Sequence, residues 1–321
     1  MRKHLAIGLF ALAAGAGGCK KKAPETAAAD KGAGSGEAKD MGSGSATGMA
    51  ATTGSGSGSA MAGSGSAMAG SGAGAGSGSA EPPIVVPPYT PAADVPDPIK
   101  AAIAAADRTD KDRSLDAGRK PGEVFAFFKI APGQKVGELF AGPGGSTELI
   151  ARIVGDKGHV WAQNSKEMLD AFARKPLEAR LQKPVMQNTQ LVESANEDPF
   201  PADAKDLDAV VCILNYHDFV NDKTDRAKLN KAVFAHLKKG GFYDIEDSSA
   251  PDGSGVKDTD TLHRIDEAVV KKEVLAAGFK LDAESDVLRN KDDKRDWNSS
   301  PKAAGDKRGT SDRFVLRFVK K

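Results

Sequence analysis

The chain has 321 residues, with 45 basic and 44 acidic side chains, a net charge of +1 and only 6% aromatic residues. A balance this close to neutral lacks the electrostatic footprint of a nucleic-acid or other polyanion binder, so no nucleic-acid partner is expected. Two cysteines, Cys19 and Cys212, set no disulfide framework.

Arg2, Lys3 and His4 precede an apolar run from Leu5 to Ala14 that is too short to span a bilayer comfortably. The small residues Ala16-Gly17-Gly18 lead into Cys19. This ending resembles a bacterial lipoprotein signal. The resemblance implies removal of the leader, a palmitate-type acyl anchor on Cys19 and attachment to a membrane of the cell envelope. Lys20, in place of the aspartate that favours inner-membrane retention, points to the outer membrane. An ordinary cleaved leader is the alternative. Residues 1–19 are thus expected to be a signal, and 20–97 a disordered tether. From Lys20 to about Ala80 the chain is Gly, Ser and Ala, without an aromatic residue between Phe10 and Tyr89, and cannot bury enough surface to offset its ordering entropy. Such a coil spans roughly 45 Å on average. A proline-rich stretch from Pro82 to Pro98 follows as a stiffer spacer.

The remaining residues, 98–321, suffice for one sizeable core. Asp97 and Pro98 start a helix expected to run to Ala106, and a second is expected from Pro121 to Phe128. Lys135 to Val154, KVGELFAGPGGSTELIARIV, reads as a strand (Val136 to Leu139), a glycine loop, and a helix capped by Ser146 or Thr147. His159 to Ala162 is the second strand. Ser165 then caps a helix expected to stop near Pro176. Gln190 to Val192 is a third strand, and Asp208 to Leu214 a fully apolar fourth that takes Cys212 into the core. A helix from Arg226 to Leu237 is expected to end in the basic, glycine-stopped turn Lys238-Lys239-Gly240-Gly241. Phe242 to Ile245 is strand five, Asp266 caps a helix ending at Gly278, and two terminal strands cover Lys280 to Leu288 and Arg313 to Val319. Repeated strand–helix units predict an α/β fold: a doubly wound, mostly parallel sheet with one antiparallel strand near the C-terminus. The first strand is expected at its centre and the glycine loop at the switch point.

Several segments in this order carry a family resemblance: Glu138 to Gly145 (ELFAGPGG), Leu214 to Asp218 (LNYHD), Leu237 to Gly241 (LKKGG), Leu262 to Asp266 (LHRID) and Ala277 to Phe279. The upstream run Asp112 to Pro121 (DRSLDAGRKP) belongs with them. Together they resemble class I S-adenosylmethionine-dependent methyltransferases, within a bacterial group of predicted methyltransferases. The resemblance implies a Rossmann-like methyltransferase fold and S-adenosylmethionine as cofactor. By position, Glu138 would hold the methionyl amino group, and Gly142 and Gly144 would lie against the ligand. Phe140 would border it, taking the place of the family's first loop glycine, so a gentler bend is expected there. Asn164 stands where the family places an acid for the ribose hydroxyls. Asn196 or Glu197 would border the adenine, and Asn215 to Asp218 would face the transferred methyl. A dinucleotide site is the rival, but its fingerprint would need glycine where this chain has Thr147.

Methyl transfer is an in-line displacement in which positioning does much of the work. His217 is the expected base or substrate contact, because its ordinary pKa lies near neutrality; a plain loop cap is its alternative. Asp218 would orient it, and Tyr216 would line the methyl channel or pack in the core. Ala250 to Asp260 reads as a lid, with Glu246, Asp247, His263 and Arg264 as substrate or latch residues. No tight ligand spacing marks a metal site, and none is expected. The resulting expectation is an exported, lipid-anchored methyltransferase for a small molecule. The alternative is a non-catalytic module that keeps the fold and binds an adenosyl-type or other small ligand. Export conflicts with a cofactor made in the cytoplasm, which keeps both readings open.

Overall fold

The computed structural model describes residues 84–321; the expected signal, Cys19 and the tether up to residue 83 lie outside the described residues. Seven strands form one sheet in the order β3-β2-β1-β4-β5-β7-β6. They are β1 Lys135–Leu139, β2 His159–Asn164, β3 Thr189–Glu193, β4 Leu207–Ile213, β5 Leu237–Ser248, β6 Lys280–Ser285 and β7 Arg313–Val319. β1 pairs in parallel with β2 and β4, as do β2 with β3 and β4 with β5. Only β7 runs antiparallel, to both β5 and β6. This is the expected doubly wound sheet. After β3 the chain crosses to the other side of β1, so the C-terminal ends of β1 and β4 flank the switch point.

Eleven α-helical segments accompany the strands. The N-terminal part holds α1 Asp97–Ala104, α2 Asp110–Arg113, α3 Asp116–Arg119 and α4 Pro121–Phe127. The sheet is then interleaved with α5 Gly145–Val154, α6 Lys166–Met168, α7 Arg174–Leu181, α8 Asp218–Asn221, α9 Arg226–His236, α10 Thr259–Leu262 and α11 Glu267–Ala276. None of the described helices is long and apolar enough to cross a membrane.

The alternation of β4 explains the two-sided core. Val210 and Cys212 join Leu139, Leu229, Val233, Tyr243 and Phe314 on one face. Ala209 and Val211 join Val136, Ile150, Ile153, Phe125 and Phe128 on the other. A strand apolar on both faces is what a central parallel strand requires. β7 departs from the simple alternation read from its sequence, since all seven of its residues are buried. Its arginines are accommodated by partners: Arg313 bonds Glu246 at 2.8 Å, and Arg317 bonds Asp282 at 2.7 Å while lying over the rings of Phe127 and Phe242.

Three local expectations are corrected. The spacer does not stay loose to residue 97: the Tyr89 hydroxyl donates to Glu123 at 2.6 Å and Val95 is buried in the core. The helix after β2 does not stop near Pro176. A widened π turn at Leu169–Ala173 intervenes, and α7 then continues to Leu181. The wider turn changes the hydrogen-bond register just before a residue with no N–H to give. Lys238 to Gly241 is not a helical last turn but a bulge inside β5. Leu237 pairs with Leu207 and Phe242 with Ala209, so four residues are absorbed opposite Asp208, with Gly240 at φ 79°.

Gly137 packs against the Phe200 ring, and a Cβ there would fall 2.4 Å from it. Gly137→Ala should therefore cost about 1–3 kcal/mol through overpacking, read from the midpoint of a urea melt, with the fold retained.

Candidate active site

The loop after β1 is tighter than its sequence suggests. Phe140 replaces a glycine yet adopts φ 51°, the left-handed region, so the expected gentler bend is not what forms. Such a residue costs of order 1 kcal/mol, which burial of the ring against Phe219, 4.8 Å between centroids, offsets. The Phe140 N–H donates to Gln163 Oε1 at 3.1 Å, and its carbonyl accepts from Asn215 at 3.0 Å. The loop after β1 is thereby tied to β2 and to the loop after β4.

Glu138 ends β1 as a buried side chain, 1% exposed. Ser146 and Thr147 do not cap α5 through their side chains as the sequence suggested; both hydroxyls turn back and donate to Glu138, that of Thr147 at 2.5 Å. Burial raises the Glu138 pKa to about 7, against the lowering effect of those two hydrogen bonds and of Arg180.

The two glycines expected against a ligand differ. Gly142 has φ 56° and open space where a Cβ would stand. At Gly144, φ 82°, a Cβ would meet Leu177 at 2.6 Å, so this glycine serves packing against α7. Asn164 is fully buried under the loop: its Oδ1 accepts from Gly142 N at 2.8 Å. It braces the loop rather than presenting a group to solvent. Asn196 donates to Thr224 at 3.0 Å and accepts from Gln163 at 3.2 Å, while Glu197 accepts from Asp225 N at 2.9 Å. Both join the loop after β3 to the start of α9.

The segment after β4 divides sharply. Tyr216 is fully buried, donates to Glu273 at 3.0 Å and accepts from Asn230 at 2.8 Å. It is a core residue and lines no channel. His217 lies 4% exposed at the centre of a polar cluster. Its Nδ1 is 2.9 Å from Asp247, its Nε2 is 3.2 Å from His263 Nδ1 and 3.3 Å from Asp218. Burial alone would lower its pKa, but the carboxylates of Asp247 and Asp218 raise it to about 9. The imidazole therefore already holds a proton at neutral pH, which argues against the expected free base.

The residues after β5 and α10 also separate. Asp247 is the fixed partner of His217, accepting from both His217 N at 2.9 Å and Ser248 N at 2.8 Å. Glu246 pairs with Arg313. Arg264 is no latch: it is fully buried, bonded to Asp293 at 2.8 Å and the Trp297 carbonyl at 3.0 Å. The expected lid is held by Asp266, which accepts from Gly253 N at 2.9 Å and Gly255 N at 3.3 Å.

Sequence reasoning missed what covers the glycine loop. Arg180 of α7 donates to the Pro143 carbonyl at 3.1 Å and to both oxygens of Asp112 in α2, at 2.9 and 3.0 Å. With α3 and α4 this encloses a cavity of about 40 Å³ lined by Asp112, Arg119, Ser146, Ile213 and Glu246. Gln163 was missed too, although a lone amide in an apolar strand signals a buried polar junction.

Over 123 residues the chain is 33% identical to the ubiquinone/menaquinone biosynthesis C-methyltransferase UbiE of Vibrio vulnificus, a match covering 37% of this chain and 43% of that protein. The chain thus spans less than half the length of the curated relatives it matches. No protein-family model matches it. Among solved structures it is similar to an S-adenosylmethionine-dependent methyltransferase from Aquifex aeolicus, with a TM-score of 0.46, 17% identity and coverage of 70% of this chain and 99% of that one. A second, from Clostridium acetobutylicum, aligns with a TM-score of 0.44, 15% identity and coverage of 69% and 96%. Over its matched segment the chain is thus similar to curated methyltransferases.

Glu138 makes a checkable demand on stability. Its folded pKa is raised above the ordinary 4.5, so its neutral form is favoured on folding. That contribution is complete below the unfolded value and is lost as pH rises through about 7. Glu138→Gln should remove this slope. Relative to wild type it should gain on the order of 3 kcal/mol between acid and neutral pH, measured by denaturant melts across the range.

Proposed function

We propose that the chain is an S-adenosylmethionine-dependent methyltransferase acting on a small-molecule acceptor. The observation that carries this reading is Glu138, a buried carboxyl closing the central strand at the switch point, beside a glycine loop and the N-terminus of α5. A neutral, buried acid costs little to keep while no cation is present, and a ligand ammonium would draw it into the charged form. Gly142 leaves the loop backbone open to close approach. The residues therefore fit the cofactor: Glu138 would hold its amino group and Gly142 would lie against it.

When bound, S-adenosylmethionine supplies an electrophilic methyl on a sulfonium. The chain's part is then positioning. Asn215 fixes the loop after β4 to Phe140, and His217, locked to Asp247, presents Nε2 from that loop. The cavity beside α2 is lined by Asp112, Arg119, Ser146 and Glu246, and on this reading the Arg180 contacts that close it open for the ligand.

Asn164 favours a second reading, a binding module without turnover. Its amide is spent on the loop, which leaves the strand-two position without an acid for ribose hydroxyls. Calorimetry of the full chain with S-adenosylmethionine and S-adenosylhomocysteine tests both readings. Binding weakened at least about tenfold in Glu138→Ala, a loss of roughly 1.4 kcal/mol, is expected. No heat and no thermal shift at millimolar ligand would overturn both, while binding without methyl transfer to any acceptor would leave the module.

We propose, from residues 1–19 alone, that lipid on Cys19 anchors the chain in the envelope, at the outer membrane. Palmitate labelling should disappear in Cys19→Ser; labelling that persists would refute the anchor.

A further inference from the structure

We infer that His217, Asp218 and His263 form a binding site for a divalent first-row transition metal ion. Their ligand atoms converge: His217 Nε2 lies 3.2 Å from His263 Nδ1 and 3.3 Å from Asp218 Oδ1, and His263 Nδ1 lies 3.8 Å from the same Oδ1. An ion bonded at about 2.0–2.1 Å to two imidazoles and a carboxylate separates those atoms by about 3.4 Å in tetrahedral geometry. The triangle already has that size. Two imidazoles and one carboxylate suit zinc, iron, cobalt or manganese, and they leave coordination positions open.

The surroundings are built for this role. Asp247 takes the far nitrogen of His217 at 2.9 Å, which turns Nε2 toward the cluster, where an ion would displace its proton. That is the carboxylate–histidine–metal arrangement, and Asp247 is itself fixed by two backbone N–H groups. His263 is held at φ 49°, a left-handed conformation uncommon for a side chain of this size. Its neighbours keep it there: the Ser299 hydroxyl donates to the His263 carbonyl at 2.6 Å, and Arg264 is pinned by Asp293. Two carboxylates facing two imidazoles also leave the cluster in want of positive charge. The His263 and Asp218 side chains, 32% and 24% exposed, keep one side open to solvent and to an acceptor. A metal there would bind an oxygen of the acceptor and lower its pKa. That catalytic role rests on the methyltransferase reading; the metal site does not.

The test is a cobalt(II) titration of chelator-treated full chain, followed by ligand-field absorption and calorimetry. One ion per chain at micromolar affinity or better is expected. His217→Ala and His263→Asn should lose at least about 100-fold in affinity, and Asp247→Asn about 10–100-fold. Asparagine tolerates the left-handed backbone, so His263→Asn keeps the fold, as a thermal melt would verify. No stoichiometric binding, or undiminished affinity in folded His263→Asn, overturns the site. Cobalt binding by a chain that binds no adenosyl ligand would keep the site and remove the methyltransferase reading. Adenosyl binding without metal would do the reverse.

Discussion

The turn at Phe140 is the constraint on which the rest of the site depends. The central strand must leave the sheet abruptly for α5 to pack back on it, and here a phenylalanine takes the left-handed conformation. Its backbone and ring then become joints. The N–H meets Gln163 of β2, the carbonyl meets Asn215 after β4, and the ring meets Phe219 in α8. A glycine would make the same turn more cheaply but would forfeit the ring contact. The loops after β1 and β4 are consequently one packed unit.

Buried charge is handled by pairing wherever the fold needs rigidity and left nearly bare where chemistry is proposed. Arg264 with Asp293, Arg313 with Glu246 and Arg108 with Asp116 are close pairs with little exposure. Removing one member of such a pair costs about 3–5 kcal/mol because the other stays buried and unpaired. Glu138 has only hydroxyl partners. The cluster at His217 has an excess of carboxylate over any fixed cation in contact with it. These two places short of positive charge are where a ligand ammonium and a metal ion are proposed; Asp244 in β5, fully buried with both oxygens unpartnered, is a third bare carboxyl.

Closure over the glycine loop comes from the N-terminal helices. Arg180 bridges the loop, α2 and Glu148; α2 has no buried residue and is attached by these polar contacts, whereas α1 and α4 pack into the core. Contacts of this kind exchange with water at modest cost, which suits a cover that must open.

What the sequence by itself determined is the sheet. Alternating apolar runs, the helix starts at Ser165, Arg226 and Asp266, and the glycine loop are local signals, and they led to seven strands with one antiparallel near the C-terminus. That Glu138, Gly142, Asn215, His217 and Asp218 lie together at one end of the sheet was legible, because the ends of parallel strands and the loops after them converge there. The tertiary structure decided the roles. Tyr216 became core, Arg264 a buried anchor and Asn164 a loop brace, because each found a partner 22 to 57 residues away along the chain, invisible to local spacing: Tyr216 with Glu273, Arg264 with Asp293, Asn164 with Gly142. His263 joined His217 across 46 residues for the same reason. Metal-ligand spacing can be read along a chain only when one element carries the ligands. Here two loops carry them, and folding alone sets the distance.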